Sequence, residues 1–344
     1  MHDWHIIDGD AMDVMAAMPA RSVNTVVTSP PYYRLRDYGV AGQIGLERTP
    51  QAYIQRLVEV FAAVGRVMRD DGTLWINIGD SYSAAKQLMM LPARLAIALQ
   101  DAGWYIRSEI TLCKVSPLPE SAQDRPTRAT ETLYMLTRRP RYYYDTYAVR
   151  ERGANRGGGG FSRAYAEAQP EHGAMSLARP VPNPMGRNLW NYWEWRPAPY
   201  KGDHYATFPP ALPARCIQLG TSEHGACAEC GAPWKRVVGR ETLQRNTHSG
   251  TDGHQIDRAS VSHDLGTLPA VFKGWKPTCL HTGAPVVPCT VLDPFVGAGT
   301  TVMSALRLGR RGLGIELNPL YAQMARDRII GDNPMFNAPH LHVG

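Results

Sequence analysis

The chain has 344 residues, of which 44% are hydrophobic and 20% charged, with a net charge of +6. That balance fits a folded protein with a sizeable core and excludes a mostly disordered chain or a coiled coil; the modest basic excess permits a polyanionic partner without demanding one. No apolar run approaches the ~18 residues of a membrane span, and Met1 to Trp4 offers no basic start before an apolar stretch, so a soluble intracellular protein with no membrane partner is expected.

In chain order, Trp4 to Ile7 and Val23 to Thr28 read as short buried strands. The stretch from Pro50 to Met68 sets Ile54, Leu57, Val58, Phe61, Val64 and Met68 on one helical stripe. Thr73 to Ile78 is strand-like again, Leu88 to Leu99 helical, and Trp104 to Lys114 and Glu131 to Thr137 strand-like. This alternation predicts an α/β fold with a mostly parallel sheet and helices on both faces. From Arg150 the pattern breaks: residues 150–203 hold four consecutive glycines at 157–160, many prolines and the aromatics Trp190, Tyr192, Trp193 and Trp195. Basic side chains outnumber acidic ones there, so the stretch reads either as a solvated linker or as a nucleic-acid-contacting region. The α/β pattern resumes with a helix from Pro209 to Leu219, a buried strand from Val286 to Leu292 and a helix from Thr300 to Leu308. A strand from Gly312 to Glu316 and a helix from Pro319 to Ile329 follow, so the core is built from both ends of the chain.

Two segments carry chemistry. In V-L-D-P-F-V-G-A-G-T-T, from Val291 to Thr301, a strand ends at Asp293, a turn with Gly297 and Gly299 follows, and a helix begins near Thr300. Glycines there let the backbone approach a ligand, and Glu316, 23 residues after Asp293, ends the next strand where a doubly wound fold places the acid for a ribose diol. No Gly-Lys-Ser/Thr closes the turn and no third glycine is present, which disfavours a P-loop or a dinucleotide site and favours a nucleoside without a pyrophosphate. The second segment, Thr28-Ser29-Pro30-Pro31-Tyr32, follows a strand directly. Two prolines stiffen it into an arch at the strand's carboxyl end, where the Ser29 hydroxyl and the Pro30 carbonyl can accept hydrogen bonds from an amino group and Tyr32 offers an aromatic face.

Together these segments resemble the amino-group DNA methyltransferases that use S-adenosylmethionine, and their order resembles the permuted β class. R-L-R-D-Y-G at 34–39, W-I-N-I-G-D-S-Y at 75–82, P-E-S-A-Q-D-R-P-T at 119–127 and H-Y-A-T-F-P-P at 204–210 also resemble members of this family, phage-borne ones in particular. The resemblance implies a Rossmann-like fold with a circularly permuted, mostly parallel seven-stranded sheet. It implies methyl transfer from S-adenosylmethionine to the exocyclic amine of a base flipped out of double-stranded DNA. Ser29, Pro30, Pro31 and Tyr32 would hold that amine. Asp293, Phe295, Gly297, Gly299, Thr300 and Thr301 would shape the methionine side of the cofactor site, with Thr207 and Phe208 closing over it; Glu316 and the neighbouring Asn318 would bind its ribose end. Asp8 or Asp10 would meet the adenine, the choice between them open. Serine at the first motif position leans to cytosine N4 over adenine N6. A homodimer is implied by the resemblance, and a restriction enzyme, if there is one, would be a separate chain. Two further readings stay open: a zinc-containing DNA-binding protein without activity, and a methyltransferase of RNA or protein.

The six cysteines are sparse early and clustered late, unlike a secreted disulfide scaffold. Cys227-Ala-Glu-Cys230 before Gly231 is a knuckle that presents two thiolates to one metal, and Cys279-Leu-His281 offers a second pair, with Cys289 competing as fourth ligand. A structural zinc is expected. The expected organisation is a catalytic half (1–149), a DNA-contacting insertion (150–203), a cofactor-closing segment (204–220), a zinc-binding insertion (221–285), a cofactor half (286–333) and a tail (334–344).

Overall fold

The computed structural model describes residues 3–117, 119–151, 187–195, 208–240 and 270–337. The first part of the chain runs β1 (Trp4–Asp8), α1 (Ala11–Ala17), β2 (Val23–Thr28), α2 (Pro50–Val67), β3 (Met68–Ile78), α3 (Leu91–Asp101), β4 (Tyr105–Lys114) and β5 (Thr130–Thr137). Then come β6 (Tyr192–Trp195), α4 (Ala211–Gly220), β7 (Ala226–Cys227), β8 (Lys235–Arg240), β9 (Ala270–Lys276) and β10 (Val286–Val287). The last part holds β11 (Thr290–Asp293), α5 (Thr300–Arg307), β12 (Arg311–Glu316), α6 (Pro319–Asp332) and α7 (Pro334–Asn337).

One sheet organises these elements, in the order β1-β12-β11-β2-β3-β5-β4-β6. Its first five strands are mutually parallel, β5 runs antiparallel to both β3 and β4, and β6 returns parallel to β4. The sheet therefore has eight strands rather than the seven expected. The extra strand is the aromatic stretch expected to be loop: Tyr192 to Trp195 pairs with Thr111 to Lys114, burying Trp193 while Tyr192 and Glu194 stay exposed. Four residues of alternation amid glycine and proline are too short to stand out as a period.

The helical stripe of α2 is present as read, with Tyr53, Val60 and Val67 added and Val58 only half-buried. Thr49 caps the helix through Ala52 N–H and Pro50 occupies its first turn. Leu91, Leu95 and Leu99 of α3 recur every fourth residue in the same apolar cluster. A second cluster joins Ile6, Val302, Met303 and Leu306 to Ala322, Ala325 and Ile329. The expected strand from Val286 to Leu292 is instead two: exposed β10, paired antiparallel with β7, and β11 in the large sheet. Pro288 lies between them and, having no N–H, cannot continue a ladder.

The chain divides into two units: 1–145 with 190–235 and 277–344, and 146–189 with 236–276. In the second unit, Glu151 and Arg187 form an ion pair and an isolated bridge, and β8 and β9 form a two-stranded sheet. There Arg236 stacks over Trp275 at 4.4 Å. Trp190 to Trp195 thus belongs with the large sheet and not with the expected insertion; most of that insertion (152–186 and 196–203), together with Thr207, lies outside the described residues. Among the described residues no helix is long and apolar enough to cross a membrane.

Candidate active site

Strand β2 is buried along its whole length, and β11 is its parallel neighbour, with Val291 opposite Thr25 and Leu292 opposite Val26. Parallel pairing carries both strands to the same carboxyl edge, so the T-S-P-P-Y arch and the glycine turn emerge side by side although the chain makes them at opposite ends. A side-chain clamp fixes the pair. Asp293 accepts from the Thr28 hydroxyl at 2.6 Å, the Thr301 hydroxyl at 2.7 Å and Phe295 N–H at 3.0 Å. Asp293 is 1% exposed, and burial pushes its carboxyl up to about 6 even though these three donors pull it down.

The two segments open into one cavity of about 650 Å³. Ser29, Pro30, Pro31 and Tyr32 line it from the arch; Phe295, Gly297 and Thr300 line it from the turn. Glu316, Asn318, Asp10 and Phe208 line it as well. Asp293, Gly299 and Thr301 do not reach it and act from behind: Asp293 and Thr301 through the clamp, Gly299 as the N-cap of α5. Gly299 has φ +78, and a Cβ there would press on Ala325 and Ile329 at 3.2 Å. The two early aspartates are placed differently. Asp10 caps α1 through Met12 N–H at 2.7 Å and faces the cavity, whereas Asp8 is paired with Arg326 outside it.

Glu316 holds the turn in place. One oxygen accepts from Gly297 N–H at 2.9 Å and the other from Asn318 N–H at 3.0 Å. Burial raises its pKa, and the two backbone donors oppose that rise. The carboxylate can still accept a further donor, such as a ribose hydroxyl. The cavity thus has a carboxylate pair at Asp10 and Glu316, an aromatic and glycine wall, and backbone at close range: a fit for the nucleoside and methionine parts of S-adenosylmethionine.

At the arch, Tyr53 donates to the Pro31 carbonyl at 2.8 Å, fixing it from below. The Tyr32 ring lies on Gly79, where a Cβ would come within 2.6 Å of it. The Tyr32 hydroxyl donates to Glu131 at 3.0 Å, Asn77 donates to the same Glu131 oxygen at 3.1 Å, and Lys114 pairs with the other at 2.6 Å. Burial first and the Glu131 charge second hold the Tyr32 phenol well above its ordinary pKa, the Ser29 hydroxyl pulling the other way. Tyr32 therefore stays a neutral donor. Asn77, Lys114 and Glu131 were not singled out from the sequence. The only signal was their place on strands that end at this edge, Asn77 within the W-I-N-I-G-D-S-Y run.

A second constellation lies apart from the cavity. The ligand atoms of Cys227, Cys230, Cys279 and His281 all lie within 4.8 Å of one another. His281 Nδ1 is 3.3 Å from Cys230 Sγ and 3.7 Å from Cys227 Sγ, close to the edges of a tetrahedron with Zn–S of about 2.3 Å and Zn–N of about 2.0 Å. The other His281 nitrogen faces Glu229 at 3.6 Å, an outer carboxylate of the kind that orients a ligating imidazole. Cys289 is not in the cluster: it is fully buried, and its thiol donates to the Ser222 carbonyl at 3.8 Å. The knuckle is tied to the sheet by Asn24 of β2, which donates to the Gly231 carbonyl at 2.9 Å and accepts from Thr290 N–H of β11 at 2.8 Å.

The Type II methyltransferase M.XycI of Xanthomonas campestris pv. cyanopsidis is 33% identical over 356 residues, spanning 95% of this chain and 88% of its own. Among solved structures, the PvuII DNA methyltransferase (cytosine-N4-specific) superposes with a TM-score of 0.57 at 15% identity, covering 99% of this chain and 88% of that one. A putative DNA modification methylase of Thermus thermophilus, complexed with S-adenosyl-L-methionine, superposes with a TM-score of 0.53 at 22% identity, covering 97% of each chain. At such identities the two structures speak to the fold. The sequence model of the N6/N4 DNA methylases matches residues 23–228 and 289–327, both segments of the cavity included. The chain therefore belongs to the N6/N4 family of DNA amino-methyltransferases.

Proposed function

We propose that this enzyme transfers a methyl group from S-adenosylmethionine to N4 of a cytosine flipped out of duplex DNA. The observation that carries the reading is the shared cavity: the clamp from Thr28 to Asp293 sets an amine-accepting arch beside a glycine turn backed by a carboxylate. Glu316 and Asp10 would hold the ribose and adenine ends of the cofactor, and Phe295, Gly297 and Phe208 its methionine end. Bound there, S-adenosylmethionine supplies an electrophilic methyl group on a sulfonium. The chain's contribution is positional. Ser29 Oγ and the Pro30 carbonyl accept the two amine hydrogens, aim the nitrogen lone pair along the sulfur–methyl axis and favour the positive charge that develops on nitrogen. Tyr32, fixed by Glu131 and Gly79, presents its ring to the base. A stacked base cannot reach this arch, so it must leave the duplex at a cost of about a few kcal/mol.

Serine rather than aspartate before Pro-Pro supports cytosine; adenine N6 is the alternative for the same arch. The reading is tested by incubating the protein with methyl-labelled S-adenosylmethionine and duplex DNA, then digesting to nucleosides. Label is expected in N4-methylcytosine, and Ser29→Ala should lower kcat by about 100-fold while leaving cofactor affinity unchanged. Full activity in Ser29→Ala would overturn the assignment; label in N6-methyladenine would overturn the base.

We also assign Cys227, Cys230, Cys279 and His281 to a structural zinc ion. Four protein ligands leave no open position, so the metal serves the fold and not the methyl transfer. A restriction enzyme cutting the same site would be a separate partner chain, a reading supported by the Type II class of the relatives. Resistance of DNA modified in vitro to a nuclease from the same source tests it.

A further inference from the structure

The cavity holds more polar groups than a cofactor and an amine can engage. Around the arch, three buried side-chain atoms make no hydrogen bond within the protein: Asn77 Oδ1, Arg128 Nη1 and Trp195 Nε1. All three residues line the same cavity as Ser29 and Tyr32. Each is also held where it stands. Asn77 is 3% exposed and its amide nitrogen is engaged by Glu131 and the Tyr32 hydroxyl, which leaves the carbonyl end open. Arg128 stands 4.0 Å from Asp80, whose carboxylate caps Leu91 N–H at 3.0 Å. Trp195 sits at the end of β6, in register with Lys114, whose ammonium lies 5.8 Å above the indole ring.

The chemistry of this set is specific. It offers two donors, Arg128 Nη1 and Trp195 Nε1, one of them cationic, beside the two acceptors of the arch. The pairing edge of cytosine presents the complement: an amine donor at N4 and acceptors at N3 and O2. Adenine presents an amine donor and one acceptor, N1, followed by a C–H that would leave one buried donor unmatched. Unmatched buried donors are what allow a polar site to reject a near-isostere.

We infer that Arg128 and Trp195 read the pairing edge of the flipped base and set the specificity of the enzyme for cytosine. The inference rests on the methyltransferase reading above and adds to it the residues that choose the base. Trp195 and Arg128 supply donors to N3 and O2, and the two amine hydrogens go to Ser29 Oγ and the Pro30 carbonyl.

The test uses the full chain and, once the target site has been mapped, two duplexes that differ only at the target: cytosine or 3-deazacytosine, which lacks the N3 acceptor. The unaltered enzyme should lose about tenfold in kcat/KM on the analogue. Trp195→Phe and Arg128→Gln should each lose about tenfold on the cytosine duplex with cofactor affinity unchanged. One of the two should lose nothing more on the analogue, because its missing donor is the one that met N3. If the unaltered enzyme uses both duplexes equally, or if both variants lose the same further factor as the unaltered enzyme, the pocket assignment is overturned while the activity stands. If the unaltered enzyme methylates adenine, the cytosine reading itself falls. The measurement on the unaltered enzyme needs no variant to fold.

Discussion

Asp293 is an acid whose surroundings resist its charge. The unfolded chain has this carboxyl near pKa 3.9, and burial raises it to about 6 in the folded protein. Because the folded value is the higher one, the stability linked to this group is complete below about pH 4 and is lost as pH rises through 6, a change of ~3 kcal/mol. Asp293→Asn removes the titration, so relative to the parent its urea midpoint should rise between pH 4 and 7. Parallel pH profiles for the two proteins would show that Asp293 titrates normally. Glu316 does a different job with the same functional group, since its two oxygens order Gly297 and Asn318 before any ligand arrives. Glu316→Gln keeps one acceptor but turns an NH2 group toward one of those N–H donors. Affinity for S-adenosylmethionine should fall by about 10- to 100-fold by calorimetry.

At the scale of elements, the loop after β3 is built around a close approach. Gly79 leaves room for the Tyr32 ring that no side chain could share. Gly79→Ala should displace the ring and lower kcat by about tenfold or more at unchanged cofactor affinity. Single-turnover rates beside equilibrium binding would show the split; a change in cofactor affinity alone would refute it. The strands and helices on either side of the break at 150 were legible because their apolar periods are long, as with the α2 stripe and the run of β2. The arch and the glycine turn were legible because proline and glycine restrict backbone geometry in ways few other residues do. The partners of Tyr32 were not, since Lys114 and Glu131 come to it only through the antiparallel excursion of β5 and β4, a pairing that leaves no local mark, and Asn77 sits inside an apolar strand whose neighbours the sequence does not name. Short β6, and the separation of β10 from β11, were missed for a related reason: β6 and β10 each take their structure from a neighbour far away in sequence.

For the whole molecule, one side chain joins the cysteine cluster to the two strands that carry both motifs. Asn24 touches the knuckle at Gly231 and β11 at Thr290, so β2 and β11, the strands that carry both motifs, share a strut with the proposed zinc site. Purified protein should contain one zinc per chain, and Cys279→Ser should lower both the melting temperature and the affinity for S-adenosylmethionine. Unchanged binding with a lowered melting temperature would show that the strut does not transmit. The strand order has a consequence for synthesis. Strand β1, the first to be made, has β12 as its sheet neighbour, about 300 residues later, and β2 waits nearly as long for β11. Closing such long loops is slow, and the sheet is completed only once β11 and β12 have been made. A chain that stops before β11 holds the T-S-P-P-Y arch with bare edges on β1 and β2 and no turn beside it. Premature termination would thus produce an aggregation-prone fragment and not a poorly regulated methylase.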